Sequence, residues 1–121
     1  MERASRHLPY PAAIEAYGGG AGMSHRGSLL CLPNGIWAVD IAAPDAIGEV
    51  ELALVLASMP PIEHLLIGTG RDSWLPPDGL STRLRAQGIV PEAMATGAAV
   101  RTYNLLLAEG RRIGALLLAV D

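Results

Sequence analysis

The spacing of apolar residues changes character near residue 44, dividing the chain into a strand-rich first part and an alternating second part. Ala13 to Tyr17 reads as a short strand, and Gly18-Gly19-Gly20 as a turn that glycine backbones adopt without steric cost. Ser28 to Leu32 is a second strand. Pro33-Asn34-Gly35 is a hairpin signal, and Ile36 to Ile41 is the returning strand, with Trp37 and Val39 on one face. Beyond it Ile47, Val50, Leu54 and Ala57 recur at helical spacing, which predicts a helix over Pro44 to Ser58, stopped by Pro60-Pro61. His64 to Ile67 is an apolar run of the kind buried on both faces of a parallel sheet, and it ends in Gly68-Thr69-Gly70.

A proline-rich loop with Trp74, Pro76 and Pro77 leads to a short predicted helix from Asp78 to Gln87, closed by Gly88 at C′. Ile89 to Met94 is the next strand. Thr96-Gly97 opens a helix with Val100, Tyr103, Leu106 and Leu107 on its apolar side, and Gly110 ends it. Ile113 to Val120 is the last strand. The second part thus alternates helix and strand, the pattern of crossovers around a parallel sheet. The predicted fold is a three-layer α/β domain over 13–121, with a central mixed, mostly parallel sheet, an N-terminal antiparallel hairpin, and residues 1–12 as an extension.

Composition narrows the function classes. The chain has 121 residues, 50% hydrophobic and 17% charged, which suits one domain with an ample core. Phe is absent, Trp and Tyr number two and three, and the net charge is -3, so neither a base-stacking surface nor a basic patch for nucleic acid is expected. All nine cations are Arg. Without Lys there is no P-loop lysine and no Schiff-base amine. The single Cys31, inside an apolar strand, reads as a buried thiol and suits a reducing compartment. His7, His25 and His64 are scattered, so no metal and no cofactor is expected. Proline replaces an apolar leader after Arg6, and no apolar run reaches the ~20 residues of a membrane span, so the expected location is cytoplasmic with no transmembrane segment.

Three stretches together resemble a known family: Ser24-His25-Arg26-Gly27-Ser28-Leu29-Leu30, Ile62 through Gly70, and Thr96-Gly97-Ala98-Ala99-Val100-Arg101-Thr102-Tyr103-Asn104-Leu105-Leu106. It is the small uncharacterised bacterial and archaeal domain family whose mitochondrial relative is respiratory complex I assembly factor 3. The resemblance runs from about Ile14 to Val120. It implies a three-layer α/β fold and no established enzymatic activity. The mitochondrial relative works by binding partner proteins during assembly of a membrane complex. Bacterial relatives often carry an aromatic or basic residue where this chain has Ala21-Gly22-Met23.

Ligands of open α/β sheets sit beyond the carboxyl ends of the strands, at helix N-termini that favour anions. The candidate binding residues are therefore Gly68, Thr69, Gly70, Thr96, Gly97, Arg101, Tyr103 and Asn104. Thr96 reads as an N-cap accepting from Ala98 or Ala99, and Arg101 as a counter-charge one turn on, with Asn104 on the same face. A side chain at Gly97 is expected to crowd this turn against the Gly68 loop. The same residues also have a purely structural reading, with the glycines at positive φ, Thr96 only a cap, Arg101 paired with Glu92 and Tyr103 in the core. His25 and Arg26 read as a solvated turn. No Ser-His-Asp set or carboxylate pair is placed for catalysis. Two functions follow: a non-catalytic protein-binding domain acting in biogenesis of a complex, with a membrane-complex subunit as a candidate partner and a homodimer compatible with the chain's size; or a small-molecule module or enzyme holding phosphate or carboxylate at the two glycine loops.

Overall fold

The computed structural model describes residues 4–8, 28–39, 41, 43–70 and 74–118, with the backbone alone at 4–8. Among them six strands form one sheet: β1 (Ala4–Leu8), β2 (Ser28–Leu32), β3 (Gly35–Val39), β4 (His64–Gly68), β5 (Val90–Met94) and β6 (Ile113–Leu117). Three α-helices cover it: α1 (Glu49–Leu56), α2 (Asp78–Ala86) and α3 (Thr96–Ala108). The strand order is β1-β3-β2-β6-β4-β5. β4 runs parallel to β5 and β6, while β2 is antiparallel to β6 and β3, and β3 to β1. β3, β4, β5 and β6 therefore all run one way, and the sheet is mixed, as expected, with two parallel pairings around β4 and three antiparallel ones through β1, β2 and β3.

Alternation along the strands builds two cores. Leu30, Leu32, Leu65, Ile67 and Leu116 face one side, where Leu52 and Val55 of α1 and Leu84 of α2 close over them, with Trp37 and Val39 on the same face. Leu29, Cys31, Leu66, Ala115 and Leu117 face the other, under Ala99, Val100 and Tyr103 of α3. The chain steps from β4 outward to β5 and then back across β4 to β6. Crossovers of one hand taken in opposite directions put their helices on opposite faces, so α2 and α3 lie on different layers. The result is the expected three-layer arrangement.

The expected helix over 44–58 is divided. A 3-10 turn at Pro44–Ala46 is followed by Gly48 in extended conformation, and α1 begins only at Glu49. The break is held by the Gly48 N–H, which donates to Glu51 Oε1 at 2.7 Å. Arg83 of α2 grips Glu49 of α1 bidentately, with nitrogen–oxygen distances of 2.6 and 3.1 Å, and this guanidinium holds the Glu49 carboxyl below its ordinary pKa. Both helices ending in glycine close as expected. Gly88 and Gly110 take left-handed φ of 79° and 77°, and Ile89 N and Arg111 N reach back to Leu84 O and Leu106 O.

Within residues 1–12, set apart above as an extension, Ala4–Leu8 pairs with β3 as an edge strand. The expected strand at Ala13 to Tyr17, the turn Gly18-Gly19-Gly20 and the residues Ala21-Gly22-Met23, His25 and Arg26 lie outside the described residues. Among the described residues no helix is long and apolar enough to cross a membrane.

Candidate functional site

The reversal of strand order at β4 places its carboxyl end at the switch point of the parallel part, where α/β sheets ordinarily open a crevice. Gly68 ends β4 there, and the first turn of α3 lies directly on it. A Cβ at Gly68 would stand 2.9 Å from Thr96 Cα and 3.2 Å from Ala99 Cβ. Real side chains do not approach that closely, so the helix can seat on the strand only because position 68 has no side chain.

Thr96 is fully buried in this seat, and its role differs from the expected cap. The N-cap position belongs to Ala95, and no side chain caps the helix. The Thr96 hydroxyl instead donates to Leu118 O at 2.7 Å and accepts from the Gly70 N–H at 2.8 Å. Thr96 N in turn donates to Gly70 O at 3.1 Å, Thr69 N to Met94 O at 2.9 Å, and Leu118 N to Gly68 O at 2.9 Å. Gly70 turns back with φ of +83°. One hydroxyl thus joins the ends of three segments, after β4, before α3 and after β6. The physical reason that capping fails is competition: a buried acceptor at Leu118 would go unsatisfied if the hydroxyl turned to the helix.

Gly97 is exposed, and its expected crowding is absent. The atom nearest to a Cβ placed there is a terminal guanidinium nitrogen of Arg101, at 3.6 Å. The Arg101 side chain therefore lies back over the first turn of α3, as the spacing suggested, but the close approach expected at Gly97 belongs to Gly68. Arg101 is exposed and has no ion-pair partner among the described residues, Glu92 included. Asn104 is half-buried further along the helix. Tyr103 is buried in the core under α3, toward the opposite end of the molecule.

The candidate residues thus split. Gly68, Thr69, Gly70 and Thr96 form an internally bonded junction, Gly97 and Arg101 form an exposed turn above it, and Tyr103 belongs elsewhere. At the other end of the sheet Tyr103 and Leu107 border a cavity of about 300 Å³ with Arg111 and Arg112. Those two arginines are absent from the candidate set. The sign available in the sequence was the Arg-Arg doublet directly after the glycine that ends α3.

Cys31 is fully buried between β3 and β6, and burial pushes its thiol up to about 12. Among the described residues no three His, Cys, Asp or Glu side chains stand close enough to hold a metal ion.

Comparison with known proteins places these features in a family. An uncharacterised protein of Rhodobacter capsulatus is 41% identical over 109 residues, covering 87% of this chain and 82% of its own. The crystal structure of a protein from Bartonella henselae described as an outer membrane protein is similar with a TM-score of 0.85 and 45% identity, over 95% of this chain and 100% of that one. The solution structure of a Bordetella pertussis protein described as an Mth938-like domain matches with a TM-score of 0.66 and 30% identity, over 76% of this chain and 73% of that one. A family model described as protein of unknown function (DUF498/DUF598) matches residues 14–118, and the chain belongs to that family.

Proposed function

We propose that the chain is a non-catalytic protein-binding domain of the cytoplasm that acts in biogenesis of a protein complex, as its resemblance to complex I assembly factors implies. What supports this reading is the outward stripe of α3. Gly97, Arg101, Leu105 and Ala108 follow one another along the exposed side of the helix, and Leu105 is 60% exposed. Two small residues, one cation and one large apolar side chain let another protein approach the helix closely, bury Leu105 and meet Arg101 with a carboxylate. The stripe adjoins a junction whose buried polar groups are already bonded within the domain.

The test is affinity purification of the wild-type chain and of Leu105→Asp from the native organism. A stable partner recovered with the wild type and lost with the variant supports the reading. Equal recovery with both, or recovery of the bare chain alone, overturns it.

A second reading draws on Arg101 lying over the first turn of α3. A phosphate or carboxylate there would meet a planar cation and a helix N-terminus together, as in a small-molecule module or enzyme. A thermal-shift screen of nucleotides and metabolic anions tests it, because a ligand at 100 times its Kd adds about 2.7 kcal/mol. Arg101→Lys would then weaken the hit by about 1 kcal/mol or more while leaving the melting temperature unchanged.

A further inference from the structure

We infer that the cavity at the amino-terminal end of the parallel strands is a binding site for an apolar monocarboxylate. Its floor is apolar: the Tyr103 ring, Leu107 and Ile113, walled by Pro33 of the β2–β3 turn and by Pro60. Its rim carries Arg111 and Arg112. The volume of about 300 Å³ is at the small end of ligand pockets, which run from roughly 300 to 1,000 Å³. That size suits a short acyl or aryl body.

The shape follows from how α3 ends. Gly110 has no side chain and turns at φ +77°, and Arg111 N bonds back to Leu106 O. The reversal leaves a gap beside the last turn and delivers two consecutive guanidiniums to its edge. Arg111 is exposed. Arg112 touches Glu63 loosely, Nε to Oε2 at 3.6 Å, with the two side chains 53% and 42% exposed. A contact of that length leaves the guanidinium's donors available for a ligand.

Charge selects the class of occupant. Among the described residues no acid lines the cavity, and with Glu63 set against Arg112 one guanidinium charge is left at the rim. One net charge over an apolar floor matches an acid with one negative charge and an apolar body. A compact dianion such as phosphate would have no use for the floor. The planar guanidinium fork fits a carboxylate bidentately. This site shares no lining residue with the α3 stripe proposed to bind protein: the stripe follows the exposed side of the helix, and the cavity is bordered by buried Tyr103 and half-buried Leu107.

The test is a titration of the full chain with sodium octanoate, followed by amide chemical shifts and calorimetry. Saturable shifts confined to Gly110, Arg111, Ile113 and their neighbours are expected. The uncharged octanamide should bind at least about ten-fold more weakly, the effect of losing one charge-assisted pair. Arg111→Gln/Arg112→Gln should weaken octanoate by a similar factor with an unchanged melting temperature. The octanamide comparison holds even if the double variant folds poorly. Absence of saturation, equal binding of octanamide, shifts spread over exposed Val50 and Leu75, or inorganic phosphate binding as tightly as octanoate would each overturn the assignment.

Discussion

Gly68 and Gly97 flank the same junction, yet a methyl group would be received very differently at the two. At Gly68 it would press on the backbone of Thr96, which cannot move without drawing α3 off the sheet. Gly68→Ala is therefore expected to cost about 1–3 kcal/mol as an overpacked site. At Gly97 the only nearby atom among the described residues is the end of a flexible arginine, so Gly97→Ala should be neutral or stabilising by up to roughly 1 kcal/mol, the helix propensity difference. Urea unfolding of both variants checks the pair, and comparable losses would contradict the geometry. The sequence pointed to this cluster but not to the glycine that matters, because the choice depends on which Cα the helix places over the strand. Cys31 was legible, since an apolar run flanks it on both sides. Its folded thiol keeps its proton to about 12 while the unfolded one releases it near 9.0. Stability from this group is thus full below pH 9 and falls as pH rises toward 12. Thiol reagents at neutral pH should label the native chain slowly and only through opening, whereas rapid stoichiometric labelling would show the thiol to be accessible.

Among elements, those marked by local chemistry were readable and those made by distant pairing were not. The hairpin turn at Pro33-Asn34-Gly35 and the helix ends at Gly88 and Gly110 carry their signals within a few residues. β1 carries none, because Ala4 to Leu8 is mixed in polarity and its pairing is with β3, far along the chain. The break at Gly48 was hidden because Ile47 kept the helical period across it. β5 illustrates an element whose sequence solves a problem visible only in the sheet. It is an edge strand, and Val90 N donates inward to Glu63 O, so by alternation the position of Pro91 faces the open side. Proline offers no donor there, and exposed Glu92 follows it, which together blunt pairing with another chain. Pro91→Val restores that donor and is expected to raise self-association, read by sedimentation velocity across a concentration series. A variant as monodisperse as the wild type would mean that the edge is guarded by something else.

At the scale of the whole molecule, the fold class was legible because apolar alternation and glycine punctuation agree from Ser28 onward. The order of strands was not, because it rests on which edges meet. Among the described residues two groups of strands, β1-β3-β2 and β6-β4-β5, join in the sheet along β2 and β6, where Leu29, Leu30 and Cys31 pair with Leu117, Leu116 and Ala115. That seam connects segments separated by most of the chain, and it bears on how the protein is made. During synthesis the hairpin emerges early and must wait, with the wholly apolar flank of β2 unpaired, until Ile113 to Leu117 leaves the ribosome. At translation rates of about 5–20 residues per second the wait is several seconds, long enough for an open strand edge to capture a neighbour or recruit a chaperone. Nascent chains stalled before Ile113 should therefore sediment as aggregates or chaperone complexes, while chains stalled on an added carboxyl-terminal linker that holds Leu118 clear of the ribosome should be protease-resistant. Equal solubility of the two would show that the hairpin shields its own edge while it waits for its partner.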